Sequence, residues 1–94
     1  MNGYKTLSAA ESERLALLIE ECGEVIQAAT KVLRHGYESF HPEDPTTSNR
    51  DLLTNELADL FAVYEMMDAD FARIDASAQE SAFAKKMRYC HHQL

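Results

Sequence analysis

The chain has 94 residues, of which 46% are hydrophobic and 27% charged, with a formal net charge of −7. This length and composition read as one globular domain with a modest core and exclude a disordered chain. The acidic balance speaks against a nucleic-acid polymer as partner, because a phosphate backbone is held by a basic footprint. An anionic ligand here has to bring a cation with it.

Cys22 and Cys90 form no CxxC pair and no disulfide framework, which points to a reducing compartment. The opening MNGYKTLSAAESER lacks the apolar region of a signal peptide, and no apolar run reaches membrane-spanning length. A soluble cytoplasmic protein is the expectation.

In chain order, Ser8-Ala9-Ala10-Glu11 has capping-box spacing and opens a helix over about 8–35, which stops at Gly36 after Arg34-His35. Its apolar stripe is Leu15, Leu18, Ile19, Cys22, Val25, Ile26, Ala29 and Leu33. GYESFHPEDPTTS then reads as a loop, long for a compact domain. Ser48-Asn49-Arg50-Asp51 caps a second helix over about 48–69. Its stripe is Leu53, Leu57, Leu60, Tyr64 and Met67, widened by Leu52, Phe61 and Val63. After a short connection near DFARID, Ser77-Ala78-Gln79-Glu80 opens a third helix over about 77–91, with Phe83, Met87, Cys90 and Leu94 on its stripe. These stripes are expected to form the core. No stretch alternates as a strand does, so residues 1–94 read as a single all-α domain, an antiparallel helical bundle.

Two acidic clusters break the pattern. In the first helix, EECGE places Glu20, Glu21 and Glu24 within five positions, and like charges one turn apart repel. Glu21 falls beside Val25 at the edge of the apolar stripe, with Glu24 about 60° further round and Glu20 further out. In the second helix, Glu56 lies within about 40° of Leu52, Val63, Leu60 and Met67, inside the apolar arc, and Asp59 follows one turn later. A carboxylate placed in a helix interface is costly unless something pairs with it. The few cations of the first helix, Arg14, Lys31 and Arg34, are too distant to neutralise the group. If the two helices pack antiparallel, Glu21, Glu24, Glu56 and Asp59 converge into an all-oxygen site for a hard divalent cation, Mg²⁺ or Mn²⁺.

Glu20-Glu21-x-x-Glu24, followed by Glu56-x-x-Asp59, resembles the EExxE…ExxD signature of the MazG-like all-α nucleoside triphosphate pyrophosphohydrolases. The wider text, LIEECGEVIQAATKVLRHG and LLTNELADLFAVYEMM, is similar to small single-domain members often found in phage genomes, and the likeness spans about residues 14–67. It implies hydrolysis of a nucleoside triphosphate, a deoxynucleoside triphosphate above all, to the monophosphate and pyrophosphate. By position it implies Glu21, Glu24, Glu56 and Asp59 as Mg²⁺ ligands, with Glu20 or Glu21 orienting or deprotonating a water. It also implies pairing into a homodimer or homotetramer that completes the bundle, in a host cytoplasm if the gene is a phage's.

Sites for phosphates also want cations. Lys31 lies on the Glu20/Glu24 side of the first helix and Lys86, with Lys85 and Arg88, near the C-terminal end; Lys31 and Lys86 are the candidate substrate contacts. Gly23 suits a close approach of a helix or a base, or relief of crowding. His35, His41, His91 and His92 have no metal-ligand spacing. The competing readings are a helical module that binds a nucleotide or a protein without catalysis, and a plain helical dimer with an acidic surface.

Overall fold

The computed structural model of the chain describes residues 6–71 and 74–93. It contains three α-helices, α1 (Ala9–His35), α2 (Asn49–Met66) and α3 (Ala76–Arg88), with a short 3₁₀ turn, Met67–Ala69, extending α2. The fold is all-α. Among the described residues the one β-type contact is an isolated antiparallel bridge between Phe40 and Ser48. No helix of the described residues is long and apolar enough to cross a membrane.

The first two helices begin where their capping residues dictate. Ser8 Oγ accepts from the Glu11 amide at 3.0 Å while the Ser8 amide donates to Glu11 Oε1 at 2.8 Å. Ser48 and Asp51 exchange the same pair of bonds at 3.1 and 3.3 Å. Each box satisfies two amides that a helix start leaves without intrahelical acceptors. At the other end of α1, Gly36 turns to φ 87° and its amide donates to the Val32 carbonyl at 2.8 Å. A side chain would strain that backbone, which is why the helix stops on glycine.

α3 departs from the expected start. Its cap is Asp75, whose Oδ1 accepts from the Ala78 amide at 2.6 Å, so Ser77 falls inside the first turn and caps nothing. Asp75 occupies the capping position first and reaches the third amide, leaving Ser77 no free helix start. The helix also ends at Arg88, short of the expected residue 91. Leu94, placed on its stripe from sequence, lies outside the described residues.

α1 and α2 pack as an antiparallel hairpin. Arg14, near the start of α1, grips Asp70 beyond the end of α2 with two hydrogen bonds of 2.6 Å, from Nε and Nη2. At the opposite end, buried Asn49 donates from Nδ2 to the Gly36 carbonyl at 3.1 Å and from its amide to the Ser39 carbonyl at 2.8 Å. Both ends of the hairpin are therefore pinned by polar contacts. The connecting segment is more ordered than its composition suggests. The Asp44 amide donates to the His41 carbonyl, Thr46 Oγ1 donates to Asp44, and the Arg50 guanidinium lies 4.4 Å over the Tyr37 ring.

The core is a single line where the helices face each other: Ala28 from α1, and Val63 and Met67 from α2 and its extension. Most of the expected core is not in it. Ile19 is 72% exposed, Ile26 66%, Leu33 87% and Phe61 63%. The physical reason is geometric. A helix hairpin covers one narrow strip of each member, whereas these stripes are wide enough for two neighbours. α3 offers no remedy, because it makes no extended packing against α1 or α2. The radius of gyration is 17.2 Å, against about 12 Å for a compact chain of this length.

Candidate metal centre

Glu21 and Glu24 stand one turn apart on α1, and Glu56 and Asp59 one turn apart on α2. Antiparallel packing brings the two pairs face to face. One carboxylate oxygen from each residue lies within 4.8 Å of those of the other three. Glu21, Glu24 and Glu56 are half-buried and Asp59 is exposed.

The placement is costly as it stands. Oε2 of Glu21 and Oε2 of Glu56 are shut off from solvent and have no hydrogen-bond partner, though each side chain is half-exposed as a whole. Buried polar oxygens without partners are rare because desolvation is not repaid. Among the described residues no cation pairs with them: the ion pairs of Arg14 with Asp70 and Arg50 with Glu38 lie elsewhere.

The electrostatics register the crowding. A hydrogen bond with Glu24 pushes Glu56 up to about 6, helped by burial and by the charges of Glu24, Asp59 and Glu21. Glu21 is also raised, chiefly by burial and then by Glu24, Asp59 and Glu20. Sharing a proton is what closely spaced carboxyl groups do when no cation neutralises them. Four oxygen donors, two of them desolvated and unpartnered, fit a hard divalent ion such as Mg²⁺ or Mn²⁺.

The remaining candidates separate. Glu20 is exposed on the outer side of α1 and stands apart from the quartet. Lys31 lines a groove of about 250 Å³ together with Glu24, Gln27, Ala28, Leu52 and Glu56, so it shares a trough with two of the four acids. Lys86 sits on α3 beside Ala82, Lys85, Tyr89 and Cys90, away from that trough within the single chain. A Cβ added at Gly23 meets open space, so nothing inside the protomer requires glycine there. Gln27 and Ala28 had not stood out from the sequence. Gln27 follows Glu24 by three positions and precedes Lys31 by four, and that spacing alone places it on their flank.

No family model, no curated protein and no solved structure matches the chain. The quartet and its groove therefore carry the functional reading.

A pH dependence follows from Glu56. Its folded value of about 6 lies above its ordinary 4.5, so the folded state retains a proton that the unfolded chain has lost. The stabilisation is fully present below pH 4.5 and disappears as pH rises through about 6. In chelator, thermal melts of the wild type should lose stability across that window relative to Glu56→Gln, which has no such proton to lose. Parallel curves for the two proteins would contradict the assignment.

Proposed function

We propose that the chain is a divalent-metal-dependent hydrolase that cuts a nucleoside triphosphate, with a deoxynucleoside triphosphate the favoured substrate, into the monophosphate and pyrophosphate. The observation that carries the metal is the pair of shielded, partnerless oxygens of Glu21 and Glu56 within the four-carboxylate cluster. The choice of reaction rests on the resemblance of Glu20-Glu21-x-x-Glu24 and Glu56-x-x-Asp59 to the MazG-like signature.

Glu21, Glu24, Glu56 and Asp59 would hold Mg²⁺, with Mn²⁺ an alternative. When bound, the ion supplies charge neutralisation to the phosphates and to charge developing during phosphoryl transfer. In this reading Glu20, outside the quartet and open to solvent, or Glu21 would take a proton from water. The water oxygen bonds to the α-phosphorus, and the bond from that phosphorus to the bridging oxygen breaks. Pyrophosphate leaves with the electron pair, and the water proton passes to the carboxylate.

The active form in this reading is a homodimer or homotetramer. A groove of about 730 Å³ lies between the hairpin and the start of α3, lined by Leu18, Cys22, Leu60, Phe61 and Tyr64 on one side and by Ile74 and Gln79 on the other. On α1, Leu18 and Cys22 lie about 120–160° round from Glu24. On α1 the apolar flank and the acidic groove are thus on different sides, so a second copy can cover that flank of α1 without covering Glu24. Cys22 and Cys90 are free, exposed thiols.

Incubation with each common nucleoside and deoxynucleoside triphosphate in Mg²⁺ should yield monophosphate and pyrophosphate. EDTA should abolish the reaction, and Glu56→Gln should lower kcat/KM at least about 100-fold. Diphosphate plus phosphate would place the cut at another bond; tight binding without turnover would favour a non-catalytic nucleotide-binding module. Light scattering should give the wild type at least twice the 10.6 kDa chain mass. Ile19→Lys with Phe61→Glu should reduce it to one chain without unfolding the hairpin, since both side chains are exposed in the protomer. A monomeric wild type would refute the assembly.

A further inference from the structure

We propose that the groove fixes the polarity of the bound substrate: its β- and γ-phosphates lie along Gln27 and Lys31, and its nucleoside lies at the other end, beside Met66. This rests on the hydrolase reading above and goes further by assigning a direction.

The direction follows from the order of charges on α1. The α-phosphate has to sit at the quartet, where the bond is cut. From there the rest of the polyphosphate can run either way along the hairpin. Toward the start of α1, the flank that bears Glu24 carries Glu20 and Glu13. Toward its end the same flank carries Gln27 and Lys31. The side chains of Gln27 and Lys31 line the trough that contains Glu24 and Glu56. Lys31 lies two helical turns beyond Glu24, about 10 Å along the axis. The helix dipoles of α1 and α2 are antiparallel and oppose each other at both ends, so side-chain charge decides. Coulomb repulsion closes the acidic direction to the most highly charged part of the substrate, and Lys31 opens the other.

The opposite end has the chemistry a base or sugar face accepts. Met66 is 50% exposed and follows Asp59 by seven positions, two turns further along the same flank of α2. Its thioether is a polarisable, adaptable surface for an aromatic ring. Lys31 in turn faces the leaving group. As the bond to the α-phosphorus breaks, the electron pair goes to pyrophosphate, and the new charge develops on the Lys31 side of the groove. Its contribution should therefore strengthen in the transition state.

The test uses full-length protein with Mn²⁺ and two probes, pyrophosphate and a nucleoside monophosphate, as product inhibitors. Lys31→Met should weaken inhibition by pyrophosphate about tenfold and leave monophosphate inhibition within about twofold. It should lower kcat/KM alike for every base, and Lys31→Arg should restore most of the loss. Met66→Ala should alter kcat/KM unequally between bases and leave pyrophosphate inhibition unchanged. Equal weakening of both inhibitors by Lys31→Met, or weakening of the monophosphate alone, would overturn the polarity while hydrolysis by the wild type stands. A wild type that neither hydrolyses a triphosphate nor gains thermal stability with Mn²⁺ would overturn the hydrolase reading and the polarity with it. Lys31 is exposed, and an unchanged Mn²⁺-induced thermal shift in Lys31→Met confirms that the quartet is intact.

Discussion

The architecture turns on a charge problem inside a helix interface. Glu21 and Glu56 each put an oxygen out of reach of water, in a seam that otherwise buries Ala28, Val63 and Met67. Apolar residues of similar size would pack there without a desolvation cost. The chain instead concentrates four carboxylates at one level of the hairpin, where burial and mutual repulsion push Glu56 and Glu21 upward. A bound cation would resolve the conflict, and among the described residues no side chain forms an ion pair with the quartet. The two ends of the hairpin supply the rigidity such a site needs. The Arg14–Asp70 pair at one end and the Asn49–Gly36 contact at the other fix the register that sets Glu21 and Glu24 opposite Glu56 and Asp59.

The same hairpin leaves the molecule unfinished. Two helices provide one buried line, and the chain has far more apolar surface than that line can cover. α3 leaves Phe83 65% exposed and adds basic residues near its end. In the proposed reading an acidic groove and an apolar flank would separate two tasks, ligand chemistry in the one and association through the other. Open space around Gly23, a residue that costs about 1 kcal/mol in a helix interior relative to alanine, suits approach from outside the protomer.

Local signals in the sequence were legible where they act locally. Ser8 with Glu11 and Ser48 with Asp51 set two helix starts because a cap needs only its own turn. Ser77 failed because Asp75, two residues earlier, competes for the same amides. The carboxylate quartet was legible because helical spacing puts each pair on one flank, and a carboxylate inside an apolar arc, as Glu56 is, demands a partner. The core was not legible in the same way. Hydrophobic periodicity shows which residues need burial but not what buries them, so Ile19, Ile26 and Phe61 read as core and stand exposed in the protomer. Asn49 and the Arg14–Asp70 clamp depend on contacts between distant segments, which no local pattern announces.

The most direct test is a calorimetric titration of the metal-free protein with Mn²⁺ at pH 6, repeated in buffers of different ionisation enthalpy. Saturable binding accompanied by proton release is predicted, because the raised pKa of Glu56, about 6, leaves it partly protonated at that pH and a bound ion favours its ionised form. Glu21→Gln with Glu56→Gln should abolish both. Absence of saturable binding, or binding that persists unchanged in the double variant, would contradict a metal centre built on these four carboxylates.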